Sequence, residues 1–249
     1  MTTVRQRESQ LRRGLRVLEQ LAAEPQSAAE VARRLGVNRS TALRLLGQLE
    51  QSGYVSRDPA TKRYANVLDR LYGLVRSHDD HWDWLELIHP VLASMRDESG
   101  EAALQAVPAN GSMVYIAFFP SPQPVAVRER LGTVRPMHSS GLGKAYLSGL
   151  DDAELDRELG RLRYEGGTAR AARGPLELRR QVEEARETGF ALDLEETFDD
   201  VACVAAPTRV GGMLVGAAGV SGPSSRLPRA RLEEIGRSLA ARLATVERG

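Results

Sequence analysis

The stretch that decides the fold of the N-terminal part runs from Ser27 to Val55 and reads SAAEVARRLGVNRSTALRLLGQLEQSGYV. Ser27, followed three residues later by Glu30, forms a capping box, which marks the start of a helix. Gly36 suits the left-handed position that ends a helix, and Asn38 can cap a second helix directly after it. The stretch therefore predicts two short helices joined by a tight turn.

The second of these helices has one apolar side and one polar side. Ala42, Leu46 and Leu49 recur at helical spacing and predict a buried stripe. The polar edge begins at the helix N-terminus, where a recognition helix carries the groups that contact DNA bases and phosphates. Arginine can bind guanine through two hydrogen bonds, and short hydroxyl side chains can reach phosphates or base edges. DNA contacts are therefore predicted at Ser27, Asn38, Arg39, Ser40, Thr41 and Arg44.

The flanking segments extend this pattern to a winged helix-turn-helix. A preceding helix is predicted by apolar residues at helical spacing, namely Leu11, Leu15, Leu18 and Ala22. Residues 54–57 and 62–64 predict two short strands around an Asp-Pro-Ala-Thr turn. This hairpin would be a wing that places Lys62 and Arg63 against the DNA backbone. A small helical bundle with merely solvated polar faces is the alternative interpretation.

Charge and composition agree with a two-part chain. Residues 1–66 hold 12 basic and 6 acidic residues, whereas the rest holds 22 basic and 27 acidic ones. This asymmetry indicates a polyanion-binding module joined to a body that does not bind polyanions. No apolar run approaches the ~20 residues that span a bilayer, no secretory signal follows the basic N-terminus, and the single cysteine, Cys203, fits a reducing compartment. A cytoplasmic protein without a membrane partner is expected.

A helical linker is predicted over residues 65–84. Leu68, Leu71 and Val75 form an apolar stripe on it, and a two-fold mate is a natural partner because helix-turn-helix proteins commonly read two half-sites as dimers. A histidine- and aspartate-rich run follows, but it completes no ligand set of known spacing, so no metal site is predicted at His78, Asp79, Asp80, His81 and His89. The expected domains are 1–64, the linker 65–84 and 85–249.

The third part predicts an α+β domain. Helices are expected at 90–98, 142–149, 151–160, 175–189 and 227–246. Strands are expected at 102–107, 113–119, 124–130, 190–194, 201–206 and 214–220. The pair Asn110-Gly111 between two strand-like runs is a strong hairpin signal. Several consecutive strands favour a largely antiparallel sheet.

The sequence also shows a specific resemblance to a known protein family. The chain resembles the IclR family of bacterial transcriptional regulators in four segments that occur in the family's order: NRSTALRLLGQLEQSGYV from residue 38, RPMHSSGLGKAYLSGL from 135, ETGFALDLEETFDDVACVAAP from 187, and VSGPSSRLP from 220. The similarity spans about residues 9 to 246. It implies a GAF-like effector domain that binds a small molecule, often an organic or aromatic acid, and alters operator binding. It also implies dimers, commonly paired into tetramers.

A candidate effector pocket follows from the residues and from the resemblance together. The turn at Ser140 and Gly141 can present free backbone N–H groups at a helix N-terminus, which suits a carboxylate. By resemblance, Asp193, Cys203 and Ser221 line the effector pocket. Gly219 stands where several relatives carry a second serine, which disfavours a very small polar ligand such as glyoxylate. An apolar wall is predicted from Leu131, Met137 and Leu142.

The main alternative is a small-molecule-binding or hydrolytic enzyme with an incidental helical N-terminus. Cys203, His138 and Asp193 supply the residue types of a nucleophile, a base and an orienting acid. Cys203 lies in an apolar strand, however, where a free cysteine usually behaves as a small hydrophobe. The sequence holds neither a phosphate-binding loop motif nor an HExxH motif. No catalytic residue and no cofactor are predicted. A third hypothesis is a ligand-binding module without DNA activity.

Overall fold

The computed structural model describes residues 9–68, 70–71 and 83–247. Its contacts divide the chain into two compact units, with the boundary between residues 82 and 83. Most of the predicted linker, including the histidine- and aspartate-rich run at 78–81, lies outside the described residues. Among the helices that are described, none is long and apolar enough to cross a membrane.

The first unit consists of three helices and a two-stranded hairpin. Its elements are α1 (Gln10–Ala23), α2 (Ala28–Leu35), α3 (Arg39–Gln51), β1 (Val55–Arg57) and β2 (Tyr64–Asn66). The signals in the sequence act as predicted. Ser27 and Glu30 form a complete capping box, Gly36 ends α2 with a φ of 68°, and the Asn38 side chain caps α3.

The leucine repeat predicts a helix, and α1 forms there. The buried side of α1 is formed by Val17 and Leu21, whereas Leu11 and Leu15 are 75% and 53% exposed. The buried face is set by where α1 meets α3 and β2. The second wing strand starts later than predicted. Lys62, with a φ of 58°, lies in the turn and not in a strand.

The second unit is built on a six-stranded sheet. Its helices are α4 (Asp83–Ser99), α5 (Gly141–Ser148), α6 (Asp152–Arg161), α7 (Pro175–Thr188) and α8 (Arg229–Glu247). Its strands are β3 (Ala102–Ala109), β4 (Ser112–Phe119), β5 (Val134–Pro136), β6 (Ala191–Leu194), β7 (Val201–Val210) and β8 (Met213–Pro223). The strand order is β5-β4-β3-β8-β7-β6, and every pairing is antiparallel.

Helices cover both faces of this sheet. One apolar core joins it to α5, α6 and α7 through residues such as Leu142, Leu155 and Leu178. The other joins it to α4 and α8 through residues such as Leu92 and Leu239. The predicted antiparallel α+β layout is confirmed in this architecture.

One predicted strand is absent. Residues 124–130 form an irregular segment, and the short strand β5 takes the place beside β4. Pro124 at the start of this segment has no N–H to donate to a strand ladder. By contrast, the hairpin at Asn110 and Gly111 forms as predicted, with φ values of 48° and 76° that match a type I′ turn.

Candidate functional site

The exposed edge of α3 in the first unit carries two arginines. Arg39 is exposed at the helix start and has no hydrogen-bond or ion-pair partner in the described part of the chain. Arg44 lies one turn further on and donates one hydrogen bond to the side chain of exposed Gln10, at 2.9 Å. Both guanidinium groups can therefore be redirected to a ligand at low cost. Thr41 lies between them and is partly buried.

Polar neighbours of these arginines hold the helix start in place. The Asn38 Oδ1 atom accepts from the Thr41 N–H at 2.8 Å and from the Ser40 hydroxyl at 2.9 Å. Asn38 and Ser40 therefore support the N-terminus of α3, although both remain exposed.

Two of the predicted DNA-contacting side chains, Ser27 and Arg63, are engaged within the unit. The Ser27 hydroxyl donates to Glu30 Oε2 at 2.8 Å. The Arg63 guanidinium donates to the Pro25 carbonyl at 2.9 Å and pairs with Glu30 Oε2 at 3.0 Å. Hydrogen bonds from the Ser27 backbone and hydroxyl, with the Arg63 charge, lower the pKa of Glu30 to about 2. These side chains tie the wing to α2, which leaves Lys62 as the exposed basic side chain at the wing turn.

In the second unit, six of the nine predicted pocket residues line one small cavity of about 40 Å³. The predicted residues that line it are Ser140, Gly141, Leu142, Asp193, Cys203 and Ser221. Sequence reasoning missed a further group on the same cavity, namely Tyr115, Val127, Glu129, Arg135, Thr197, Phe198 and Val201. Most of these come from β4, β5 and the irregular segment before β5. No local sequence signal brings those elements to the start of α5.

Three of the predicted residues lie outside the cavity. Leu131 is 66% exposed on the irregular segment. Met137 is buried in the core beneath α5, where its carbonyl oxygen approaches Gly143 so closely that any side chain at Gly143 would collide with it. Gly219 packs against Leu142, whose Cδ2 atom would lie 3.3 Å from a Cβ at this position. The same Cβ would lie 2.9 Å from the Val204 carbonyl oxygen and 3.1 Å from the Ala205 Cβ, so a serine at this position would require its neighbours to shift.

The N-terminus of α5 faces the cavity with unused donors. The Ser140 hydroxyl oxygen accepts from the Gly143 N–H at 3.1 Å, and the Ser140 carbonyl accepts from the Lys144 N–H. Within the described residues, the N–H groups of Gly141 and Leu142 have no partner. A Cβ at Gly141 would lie only 3.3 Å from the sulfur of Cys203, so glycine here lets the backbone approach the cavity. Two free N–H groups at a helix start are suited to an anion.

The inner wall of the cavity is polar and internally satisfied. Asp193 accepts from the Glu196 N–H and from the Thr197 hydroxyl, both at 2.7 Å. Burial raises the pKa of Asp193, an effect that Lys144 opposes. Burial also raises the pKa of the Cys203 thiol, which donates to the Val204 carbonyl at 3.7 Å. Burial thus disfavours the charged forms of the Asp193 and Cys203 side chains.

An ion pair between Arg135 and Glu129 also lines the cavity. Arg135 donates to Glu129 Oε1 at 2.6 Å. Its guanidinium carbon lies 4.9 Å from the centre of the Phe198 ring and 5.9 Å from that of Tyr115. The cavity is therefore lined both by backbone donors at the start of α5 and by a cation close to two aromatic rings.

Comparisons with known proteins cover nearly the whole chain. A family model for the IclR helix-turn-helix domain matches residues 10–59. A second model, for the C-terminal part of the bacterial transcriptional regulator IclR, matches residues 79–246. The chain belongs to the IclR family. This confirms the resemblance in the sequence and the fold class, a helix-turn-helix followed by a mixed α/β domain.

Individual relatives in the IclR family are transcriptional repressors by name. The acetate operon repressor of Salmonella typhimurium is 30% identical over 231 residues, which cover 91% of this chain and 84% of the relative. The transcriptional repressor IclR of Escherichia coli is 29% identical with the same coverage. This IclR-family chain is accordingly a ligand-responsive DNA-binding transcriptional regulator.

Solved structures share the fold at lower identity. The Thermotoga maritima IclR superposes with a TM-score of 0.75 at 23% identity, covering 96% of this chain and 97% of that one. An IclR homologue from Microbacterium hydrocarbonoxydans, in complex with 4-hydroxybenzoate, superposes with a TM-score of 0.76 at 21% identity, covering 96% and 99%.

Proposed function

We propose that this regulator is a repressor that binds a palindromic operator as a homodimer or tetramer and responds to a small organic acid. The observation that carries the proposal is the cavity at the start of α5, which is lined both by the free N–H groups of Gly141 and Leu142 and by the Arg135 guanidinium. Both kinds of donor suit the carboxylate of a small acid.

The DNA interface is proposed to be the exposed edge of α3 together with the wing turn. Arg39, Thr41 and Arg44 would enter the major groove, since the N-terminal residues of a recognition helix contact base edges there. Lys62 would neutralise a backbone phosphate. Asn38 and Ser40 would keep the helix start rigid, and Ser27 and Arg63 would act only through the fold of the unit.

Self-association is proposed to use the exposed apolar side of α1. Leu11 and Leu15 border a groove of about 520 Å³ that continues over Leu18, Leu49 and Tyr54. An exposed apolar surface of this kind marks an interaction site. A second copy of the chain is the natural occupant, because a two-fold dimer presents two recognition helices to the two halves of a palindrome.

The effector is proposed to be an organic acid bound in the cavity. The related Microbacterium hydrocarbonoxydans protein was solved with 4-hydroxybenzoate, which supports an aromatic acid. Binding must differ in free energy between arrangements of the paired winged helices, otherwise it cannot shift operator affinity.

We propose no catalytic role for the same residues. The buried Cys203 thiol donates to a backbone carbonyl, and Asp193 accepts from Glu196 and Thr197. His138 lies beside Tyr164, with ring centres 5.6 Å apart. In this arrangement the three side chains do not form a nucleophile–base–acid chain. As a bacterial DNA-binding regulator, the protein would act in the cytoplasm.

Gel-shift titration tests the proposal. The probe is the DNA upstream of the protein's own gene, compared with an unrelated fragment of equal length at 150 mM salt. We expect specific retardation of the upstream fragment and a change in its affinity on addition of 4-hydroxybenzoate. Equal affinity for the two fragments would reject the regulatory proposal, and turnover of an ester substrate that is lost in Cys203→Ala would favour the enzyme.

A further inference from the structure

The guanidinium of Arg135 lines the cavity, and only some of its N–H donors have hydrogen-bond partners. It has five N–H donors, of which one reaches Glu129 Oε1 at 2.6 Å and one reaches the Val134 carbonyl at 3.4 Å. Its Nε atom is buried and has no hydrogen-bond partner among the described residues. The side chain is 22% exposed and lies over the rings of Phe198 and Tyr115. Arg135 therefore has free capacity for a carboxylate, which it can bind through two parallel hydrogen bonds.

Glu129 occupies the position that a ligand carboxylate would take on Arg135. Its side chain is 9% exposed and lines the cavity. The backbone that carries it is weakly anchored. From residue 126 to residue 129, the described part of the chain supplies no hydrogen-bond partner to any backbone N–H or C=O. Withdrawal of Glu129 would therefore break the contact with Arg135 without breaking the sheet.

The size of the cavity requires some wall to move before a ligand enters. Its volume is about 40 Å³, whereas a cavity of about 150 Å³ is needed to hold one benzene ring. The other lining residues lie on α5 and β4 to β8, which are held by helix and sheet hydrogen bonds, or in the turn at 197–198. In that turn the Thr197 N–H donates to Asp193 and the Phe198 carbonyl accepts from the Val201 N–H. The segment at 126–129 is the wall that costs the fewest hydrogen bonds to displace.

We propose that Arg135 selects ligands bearing a carboxylate and that Glu129 is a built-in competitor displaced by that carboxylate. The proposal rests on the effector role proposed for the cavity. The carboxylate of the incoming acid takes the place of the Glu129 carboxylate on the Arg135 guanidinium. The net charge of the ion pair is therefore unchanged. Displacement of residues 126–129 provides the space for the rest of the ligand, whose planar body would lie beside Phe198 and Tyr115. An uncharged isostere cannot make this exchange, since it leaves Glu129 the better partner.

The test compares 4-hydroxybenzoate with 4-hydroxybenzamide by calorimetry on the full-length protein. We expect Glu129→Gln to bind the acid about tenfold more tightly than wild type, because the charged competitor is removed, with little change for the amide. Arg135→Gln should lose the preference for acid over amide, and Arg135→Lys should restore part of it. The matched control is Arg130→Gln, which removes the same charge from an exposed position on the same segment and should bind both compounds as wild type does.

Several outcomes would overturn the proposal. These are equal acid affinity in wild type and Glu129→Gln, an unchanged acid preference in Arg135→Gln, and a Glu129→Gln protein that binds no acid. A merely structural Arg135 would lower the melting temperature while leaving the acid-to-amide ratio intact. Failure of this proposal can be distinguished from failure of the proposed function. A wild-type protein that retards its upstream DNA and responds to the acid, but whose Glu129→Gln variant shows unchanged affinity, would retain the regulatory function and lose only the competitor role.

Discussion

The two functional regions differ in how their polar side chains are satisfied. On α3, Arg39 and Arg44 are exposed and have at most one partner each among the described residues. Asp193 lines the cavity, and it is linked to Lys144 and Glu196, which do not line it; all three side chains are almost completely buried and depend on one another. Exposed groups are free to bind DNA, whereas buried groups shape a site at the expense of their own hydration. Substitutions should therefore reduce DNA affinity in the first region and stability in the second.

The largest effect is expected at Lys144. Its Nζ atom lies 2.5 Å from Glu196 Oε1, and both side chains are buried. Lys144→Met leaves the glutamate buried without its partner, which should cost about 3–5 kcal/mol in the free energy of unfolding. Urea denaturation measures this. The control is Arg170→Ala, which breaks a pair with Glu195 in which the arginine is 58% exposed and should cost at most about 1 kcal/mol. Equal costs for the two variants would remove the contrast between the regions.

Arg44→Ala should show the opposite behaviour. Loss of a bidentate contact to a base costs about 1–3 kcal/mol of specific binding, while the melting temperature should stay close to that of wild type because the arginine is exposed. Fluorescence anisotropy with the upstream DNA provides the measurement. The matched control is Arg237→Ala, which removes an exposed arginine from α8 in the other unit. Unchanged specific affinity in Arg44→Ala would contradict the assignment of α3 as the recognition helix.

Ser27 and Glu30 are an exception that sharpens the comparison, because they lie in the DNA-binding unit but act structurally. Ser27→Ala should cost about 1 kcal/mol of stability by removing the cap of α2. Acid should have a related effect. The pKa of Glu30 is lowered from 4.5 to about 2 in the folded protein, so its stabilising contribution is complete above pH 4.5 and is lost as the pH falls towards 2.

Thermal unfolding of wild type and Glu30→Gln between pH 5 and pH 2 checks this second effect. The difference in stability between the two proteins should shrink as the solution becomes more acidic. A difference that stays constant over this range would mean that the carboxylate does not support the helix start.

The smallest effect is expected at Lys62 on the wing turn. If this lysine neutralises one phosphate, Lys62→Ala should lower the slope of the logarithm of affinity against the logarithm of salt concentration by about one, without changing sequence preference. Anisotropy titrations from 50 to 200 mM salt on specific and unrelated DNA measure both quantities. A change confined to the specific fragment would indicate that Lys62 reads a base instead.

The same contrast explains how much of the molecule was predictable from the sequence. In the first unit the decisive signals are local: the capping box at Ser27, the left-handed Gly36 and the cap at Asn38 each act within a few residues. Whether Leu15 or Val17 lies on the buried side of α1 depends on tertiary contacts, and the spacing of the leucines does not determine it. Ser27 is among the predicted DNA contacts, but in the structure its hydroxyl donates to Glu30.

In the second unit the elements were largely predictable, but the cavity was only partly so. Gly141, Asp193 and Cys203 stood in motifs that the family resemblance identified. Arg135 opens a segment that the resemblance identified and Glu129 lies in none, but their meeting could not be predicted, because it depends on β5 pairing with β4 and on an irregular segment that the sequence had predicted as a strand. A packing detail such as Leu142 against Gly219 is likewise set by the separation between a helix and the sheet.

The central claim is that ligand in the cavity controls DNA binding through α3, and Gly141→Ala tests it most directly. The new methyl group would lie 3.3 Å from the Cys203 sulfur and 3.5 Å from the Asp193 Cβ, which places it within the ligand space without a severe clash. The measurement is the affinity for the upstream DNA with and without 4-hydroxybenzoate. The expected result is an acid-dependent change in wild type, and in the variant an unchanged affinity without acid together with a lost response. An equal response to the acid in both proteins would contradict the claim.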